Sequence, residues 1–154
     1  MLIPMSGHGD ARTVLDEFFA AEAAYITAGG PGVADFGGMA ARLHPDVVMH
    51  QAPTLPYGGV WRGHDGLERF MAAMSRTWRS LEFLERRQWT DGDTVIVSNH
   101  GRLTARATGR SIETTVLQVF TVRDGLIAEI RPFYWDTAAI NEALRTAVSS
   151  DVTA

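Results

Sequence analysis

The chain has 154 residues and a formal net charge of −4, with 45% hydrophobic and 21% charged residues. This length and composition are typical of one soluble globular domain with a genuine core, and a negative charge without a basic run argues against nucleic acid or an anionic membrane as the main partner. The absence of cysteine excludes disulfides, thiol nucleophiles and cysteine-ligated zinc.

The first predicted element is a helix over 10–28, where apolar residues recur at three- and four-residue spacing before a glycine-rich stop. Glu22 lies inside the apolar stripe, four residues after Phe18 and four before Ile26. A carboxylate in that position should have a raised pKa, and such groups concentrate at active sites. The alternative is that the helix is rotated or its surroundings are wet, so that Glu22 pairs with an arginine.

In the middle of the chain, the residue pattern predicts a short helix, a strand over 47–51, a proline-containing loop over 52–59 and a third helix. The third helix has the apolar stripe Leu67, Phe70, Met71, Met74 and Trp78. The pattern then changes to that of strands, over 81–89, 94–106, 111–122 and 126–135. Asp136 begins a last helix. This order predicts an α+β fold in which a curved antiparallel sheet packs against helices on one face.

The segment 116–135 predicts a hairpin, because two β-rich runs meet at Asp124-Gly125. A two-residue turn would pair Arg123 with Leu126, whereas a three-residue loop would pair Val122 with Leu126. We favour the three-residue loop, because it puts the apolar residues on one face and a one-residue slip would exchange the two faces.

On that face, Gln118 and Tyr134 are polar groups in an apolar wall. A buried polar group without a partner costs about 1–3 kcal/mol, so each must meet the other, water or a ligand. Asn99 interrupts an apolar alternation with Val95 and Val97 and is predicted to face the same cavity. Trp61 follows the proline-containing loop and is the tryptophan that we expect to contact a ligand.

Three stretches carry a resemblance to a known family: LHPDVVMH at 43–50, YGGVWRGHDGL at 57–67, and VFTVRDGLI at 119–127 continuing to YWD at 134–136. Together with the element order, they resemble the SnoaL-like polyketide cyclase group of the nuclear-transport-factor-2-like superfamily. The resemblance implies a cone-shaped barrel in which a curved antiparallel sheet wraps around helices. It also implies a homodimer through the outer face of the sheet. The superfamily includes cyclases, isomerases, epoxide hydrolases, dehydratases and non-catalytic binding modules.

The resemblance transfers functional positions only in part. The general-base aspartate of ketosteroid isomerase corresponds to Gln51, which cannot act as a base but can contact a ligand. Its oxyanion-hole aspartate corresponds to Gln118, which can still donate a hydrogen bond, and its first-helix tyrosine falls at Glu22. One strand aspartate of limonene epoxide hydrolase falls at Pro132. The late acid/base aspartate of SnoaL-like cyclases has Asp136 as its nearest counterpart.

His50 and Asp136 are further candidates for proton transfer. His50 ends the strand beside the proline-containing loop, and histidine titrates near neutral pH. Successive strand residues point to opposite sides, however, so His50 faces the cavity only if Gln51 does not or the strand bulges. Asp136 precedes the last helix, where capping alone would account for it.

No histidine spacing indicates a metal site, and there is neither a phosphate-binding glycine loop nor a nucleophile elbow. We therefore expect no metal and no cofactor. No stretch approaches the about 20 apolar residues of a membrane span, and 1–10 lacks the order of a signal peptide. We expect a cytoplasmic protein with a single SnoaL-like domain over 11–148 and flexible tails over 1–10 and 149–154.

The sequence thus predicts a cofactor-independent cyclase or isomerase for a hydrophobic, carbonyl-bearing or polyketide-like small molecule. Glu22, His50 or Asp136 would move protons, and the substrate would be held by Gln118, Asn99, Tyr134, Gln51 and Trp61. Enforcing a folded substrate conformation would supply part of the acceleration. The alternatives are a hydrolase or dehydratase for a similar ligand, and a non-catalytic ligand-binding or dimerisation module.

Overall fold

The computed structural model describes the backbone of residues 6–145 and the side chains of residues 11–145. Its four helices are α1 (Ser6–Ala28), α2 (Gly37–Ala40), α3 (Gly63–Thr77) and α4 (Thr137–Leu144). Its six strands are β1 (Leu43–Gln51), β2 (Gly59–Arg62), β3 (Trp78–Asp91), β4 (Thr94–Ala105), β5 (Ser111–Arg123) and β6 (Leu126–Tyr134). The predicted α+β class is confirmed.

The strands form one curved, unclosed sheet in the order β2-β1-β6-β5-β4-β3. Neighbouring strands are antiparallel except β1 and β6, which run parallel. The predicted curved sheet is confirmed and its four later strands are antiparallel as predicted, whereas the parallel pairing of β1 with β6 was not predicted. Four strands lie between β1 and β6 in the sequence, so this pairing joins two distant parts of the chain.

Helices α1 and α3 pack against one face of the sheet and form the core with it. Three rings hold α1 in place: Phe18 and Phe19 both meet Phe120 of β5 edge to face, with ring centroids 6.4 and 5.5 Å apart. The predicted stripe of α3 is buried throughout. These contacts direct the Glu22 side of α1 towards the sheet, because residues four apart share a helix face.

The β5–β6 turn differs from the predicted three-residue loop. Arg123 pairs with Leu126, so the turn has two residues. Both Asp124 (φ 55°) and Gly125 (φ 73°) have left-handed conformations, which is the type I′ turn that matches the twist of a hairpin. The prediction of a three-residue loop is therefore wrong. The one extra residue that puts the apolar side chains of the two strands on the same face is Ala128, which forms a bulge in β6.

The bulge restores the predicted faces. Beyond it, Val116 lies opposite Tyr134 and Gln118 lies opposite Pro132. Arg131 pairs with Val119 on the other face. Gln118 and Tyr134 therefore share the inner face of the sheet, as the apolar pattern required.

Some element boundaries also differ from the predicted ones. Helix α1 begins at Ser6, four residues before the predicted start, and β1 begins at Leu43 instead of 47. Strand β3 begins directly after α3, at Trp78. The outer parts of the predicted tails, 1–5 and 149–154, lie outside the described residues, and so does 146–148 of the predicted domain.

The type I′ turn predicts a specific cost for Gly125→Ala. A Cβ in the left-handed conformation is disfavoured by roughly 1–2 kcal/mol, so the free energy of unfolding should fall by about that amount in urea titrations. Gly38→Ala is the control, because Gly38 has no positive φ and its added Cβ would meet Ala21 at an ordinary 3.9 Å. That variant should be neutral or stabilised by about 0.5–1 kcal/mol. Equal losses in both variants would contradict the turn assignment.

Candidate functional site

A cavity lies between the inner face of the sheet and helices α1 and α3. It contains about 650 Å³ of space between protein atoms, part of which is continuous with solvent. The volume open to a water-sized molecule is about 70 Å³, which is below the range of about 300–1,000 Å³ for drug-sized ligands. Its walls are mainly apolar, with contributions from Phe18, Met49, Phe70, Leu81, Phe83 and Val116. The polar lining side chains form three groups.

The first group is Glu22, which α1 places in the cavity one helical turn after Phe18. No ion pair or hydrogen bond joins its carboxylate to another described side chain. Removal from water disfavours the charged form, so burial raises the pKa of Glu22 from 4.5 to about 7. The predicted alternative, a pairing with arginine, does not occur among the described residues. Glu22 can therefore both donate and accept a proton near neutral pH.

The second group surrounds Tyr134, whose hydroxyl donates to the Gln51 Oε1 atom at 2.6 Å. Tyr57 hydrogen-bonds to Tyr134 and accepts from the Trp78 indole N–H at 3.3 Å. The Gln51 amide N–H donates to the Met49 sulfur at 3.3 Å. These bonds hold the two phenols and the amide in fixed orientations in the cavity wall.

Both phenols remain protonated near neutral pH. Burial raises the pKa of Tyr57 to about 12, and its contact with the Glu22 charge also raises it. Burial raises the pKa of Tyr134 well above its usual value, with further increases from Tyr57 and Glu22. Because the charge of Glu22 acts on both phenols, all three groups belong to one electrostatic site.

The third group is an amide pair on neighbouring strands. Asn99 of β4 donates from Nδ2 to the Gln118 Oε1 atom on β5 at 2.7 Å. The Asn99 Oδ1 atom is buried without a hydrogen-bond partner among the described residues. The Gln118 Nε2 group likewise forms no hydrogen bond with a described residue. The Asn99 Oδ1 atom and the Gln118 Nε2 group are thus left for a ligand or a water molecule.

His50 lies outside the cavity. In β1 the side chains of Met49 and Gln51 are buried on the cavity side, and His50 between them points to the opposite face of the sheet. Its Nε2 atom is 3.7 Å from the Glu129 carboxylate on that face. The strand does not bulge at this point, so the geometry separates His50 from the other candidates.

Asp136 and Trp61 also lie outside the cavity. The exposed Asp136 is the N-cap of α4, and its side chain accepts from the backbone N–H of Ala139 at 2.9 Å. Trp61 packs edge to face against Phe70, and its indole N–H donates to the Tyr57 carbonyl at 3.1 Å. Trp61 therefore supports the loop that carries Tyr57 instead of facing the cavity itself.

Tyr57 is a cavity-lining residue that sequence reasoning missed. It lies on the loop between β1 and β2. This loop folds so tightly that a Cβ at Gly58 would come within 2.4 Å of the Ala52 carbonyl oxygen. The neighbouring glycine and the two loop prolines were the available signal for a structured loop. Thr114 of β5 also lines the cavity and was missed, because its position in an alternating strand has no distinguishing pattern.

Two further observations concern the described residues as a whole. No three of their histidine, aspartate and glutamate side chains are grouped so that they could hold a metal ion. None of their helices is long and apolar enough to cross a membrane.

Comparison with known proteins identifies the family of this fold. Residues 32–130, nearly two thirds of the chain, match the SnoaL-like domain. No curated protein matches the sequence.

Solved structures with the same fold share little sequence with this chain. An NTF2-like protein from Burkholderia xenovorans LB400 is 22% identical with a TM-score of 0.74, over 89% of this chain and 97% of that one. TerC, co-crystallised with polyporic acid, is 21% identical with a TM-score of 0.75, over 89% and 99%. A candidate SnoaL-like polyketide cyclase from Jannaschia sp. CCS1 is 15% identical with a TM-score of 0.73, over 94% and 97%. At these identities the likeness establishes the fold alone.

The raised pKa of Glu22 predicts a pH-dependent stability. A carboxyl group whose pKa rises on folding contributes stability that is complete below about pH 4.5 and is lost as the pH rises through about 7. Glu22→Gln is uncharged and similar in shape. Its free energy of unfolding should equal that of the wild type below about pH 4.5 and exceed it by up to about 3 kcal/mol above pH 7, at about 1.4 kcal/mol per pKa unit.

Urea titrations between about pH 4 and pH 8 measure this difference. Glu68→Gln is the control, because Glu68 is exposed on α3 and does not line the cavity. Its difference from the wild type should not change over the same pH range. A constant difference for Glu22→Gln would show that the Glu22 carboxylate ionises without a desolvation cost.

Proposed function

The chain belongs to the SnoaL-like family, and we propose that it is a cofactor-independent cyclase or isomerase acting on a hydrophobic, carbonyl-bearing or polyketide-like small molecule. The single observation that carries this proposal is the unpaired carboxylate of Glu22 in an apolar cavity, with a pKa of about 7. A group whose pKa lies near the operating pH is the most effective general acid or base. The same cavity holds hydrogen-bonding groups that can orient a carbonyl substrate.

In the proposed reaction, the Glu22 carboxylate removes a proton from a carbon next to the substrate carbonyl and returns it at another position. The carbonyl oxygen becomes more negative during this step. The Gln118 Nε2 group makes no hydrogen bond with a described residue and would stabilise that oxygen. Tyr134 is less suited to the task than Gln118, because its hydroxyl proton is already donated to Gln51.

The remaining groups would hold the substrate. The phenols and the amide pair are two polar groups in a lining that is otherwise mainly apolar. A flexible substrate with oxygen atoms at two positions would therefore be confined in a folded conformation, and such positioning accelerates ring closure. TerC, which has the same fold, was crystallised with polyporic acid, and this supports a small-molecule role for a cavity of this fold.

Glu22→Gln should abolish proton transfer. A suitable probe is 2-tetralone, a bicyclic ketone with exchangeable protons beside its carbonyl, incubated with the protein in D₂O and followed by proton NMR. The wild type should accelerate the exchange over buffer, and Glu22→Gln should lose about 10²–10⁴-fold of that acceleration, the usual contribution of a general base. Glu68→Gln should retain the wild-type rate. If the wild type binds the probe without accelerating exchange, a non-catalytic binding role becomes the better explanation.

We also propose that the protein is a homodimer through the outer face of its sheet. This face has an apolar patch made of Trp89, Ile96, Leu117 and Phe133, which are 36–55% exposed. Trp89 pairs with Ile96, Ile96 pairs with Val119, and Leu117, two residues before Val119, pairs with Phe133, so the patch crosses four strands. Contiguous exposed apolar patches commonly mark protein interfaces, and a second copy of the chain supplies the matching surface by two-fold symmetry.

Leu117→Glu should convert the dimer to a monomer, because a charge would be buried without a partner at the interface. Sedimentation velocity over a range of concentrations measures this change. Val33→Glu is the control, since Val33 is 74% exposed but lies in the connection between α1 and α2. A wild-type protein that is monomeric at all concentrations would overturn the dimer proposal.

A further inference from the structure

The cavity lining has an unusual charge composition. Among the described residues that line it, Glu22 is the only charged side chain, and none is a lysine, arginine or histidine. The other polar groups are neutral amides, phenols and one threonine hydroxyl. Helix α3 contributes only apolar side chains, and β3 likewise contributes Leu81 and Phe83.

Arg86 of β3 lies opposite the lining residue Asn99 of β4, but its guanidinium contacts other groups. Its guanidinium lies over the rings of Phe19 and Phe83, 4.8 and 5.6 Å from their centroids. It also lies 3.4 Å from the Asp16 carboxylate. Arg86 is therefore held by Asp16 and the ring of Phe19 on α1 and is not a lining residue of the cavity, although its buried Nη1 group has no hydrogen-bond partner among the described residues.

We propose that the cavity selects its ligand by charge, accepting uncharged apolar molecules that bear a hydroxyl or carbonyl group and rejecting their carboxylate analogues, with Glu22 as the selecting residue. This inference rests on the same cavity as the proposed function, but it concerns binding alone and requires no catalysis.

The physical reason is the absence of a compensating charge. A carboxylate ligand would be buried with the like charge of Glu22, in a site where water and mobile ions screen poorly. Both groups would also be acceptors only, so no hydrogen bond could form between them unless Glu22 carries a proton. A hydroxyl can donate to ionised Glu22 and accept from protonated Glu22, so its binding tolerates either state.

Glu22 is the group whose protonation changes near neutral pH, because the titratable groups that face it keep theirs. Two of them are phenols, Tyr57 from the loop before β2 and Tyr134 from β6. The pKa of each is raised above its ordinary value, so both stay protonated near neutral pH. Strands β4 and β5 contribute Asn99, Thr114 and Gln118, which do not titrate. Binding of a carboxylate ligand should therefore require uptake of one proton by Glu22.

Two shape-matched probes test this selection: 2-naphthol, a phenol with a pKa of about 10, and 2-naphthoate, whose carboxyl group has a pKa of about 4. Their charges are thus constant between about pH 6 and pH 8. With a Glu22 pKa of about 7, its protonated fraction falls about tenfold over this range. Calorimetric titration of the wild type should show the Kd of 2-naphthoate rising about tenfold, while the Kd of 2-naphthol stays constant within twofold.

Glu22→Gln should bind 2-naphthoate at about pH 8 at least tenfold more tightly than the wild type, with no pH dependence. Its affinity for 2-naphthol should change little. Glu68→Gln, which removes an exposed charge, should behave as the wild type. If Glu22→Gln does not fold, the wild-type titrations at the two pH values still test the proposal.

Three results would overturn the proposal: a Kd of 2-naphthoate that does not change with pH in the wild type, 2-naphthoate binding as tightly as 2-naphthol at about pH 8, or no binding of 2-naphthol. Loss of the catalytic proposal is a separate outcome. If 2-tetralone exchange is not accelerated but the charge selection is observed, the cavity is a selective binding site without proton-transfer activity. If exchange is accelerated and the selection is not observed, only the present inference fails.

Discussion

The removal of one carboxylate from water, without a cation paired to it among the described residues, is the constraint on which this site depends. Helix α1 carries Glu22 on the same side as Phe18, and the packing of Phe18 and Phe19 against Phe120 directs that side towards the sheet. Glu22 then loses water without gaining a partner, and its pKa rises to about 7. This burial costs stability when the group is ionised. Natural proteins accept such a cost mainly at functional sites, which is why Glu22 is the centre of the proposed chemistry.

The groups around Glu22 are held more firmly than it is. Tyr134, Gln51 and Tyr57 are joined by hydrogen bonds that reach the indole of Trp78. The arrangement needs no movement to present its hydrogen-bonding atoms, and preorganised dipoles are the main source of electrostatic stabilisation in enzymes. The amide pair is similarly oriented across two strands. A rigid polar frame around one group of variable charge is suited both to proton transfer and to selection by charge.

Much of the fold followed from local patterns, because period and turn chemistry are properties of short segments. Glu22 was identified by its place in a helical stripe, and Gln118 by its place in a strand face. The hairpin turn was assigned incorrectly, yet the face was correct, because burial of the apolar set determines the register whether the extra residue lies in the turn or in a bulge at Ala128. The alternation of side chains along a strand also predicted that Gln51 and His50 could not both face the cavity.

The sequence by itself determined the α+β class, the inner face of the hairpin and the anomalous carboxylate of Glu22, since each depends on the spacing of apolar residues along one element. Only the tertiary structure decided which candidates share a site. It placed Gln51 beside Tyr134, 83 residues apart, through the parallel pairing of β1 with β6. It also brought Tyr57 into the cavity by a loop closure that no periodicity describes. Contacts between distant segments follow from how several elements pack together, and this is not encoded in any one of them.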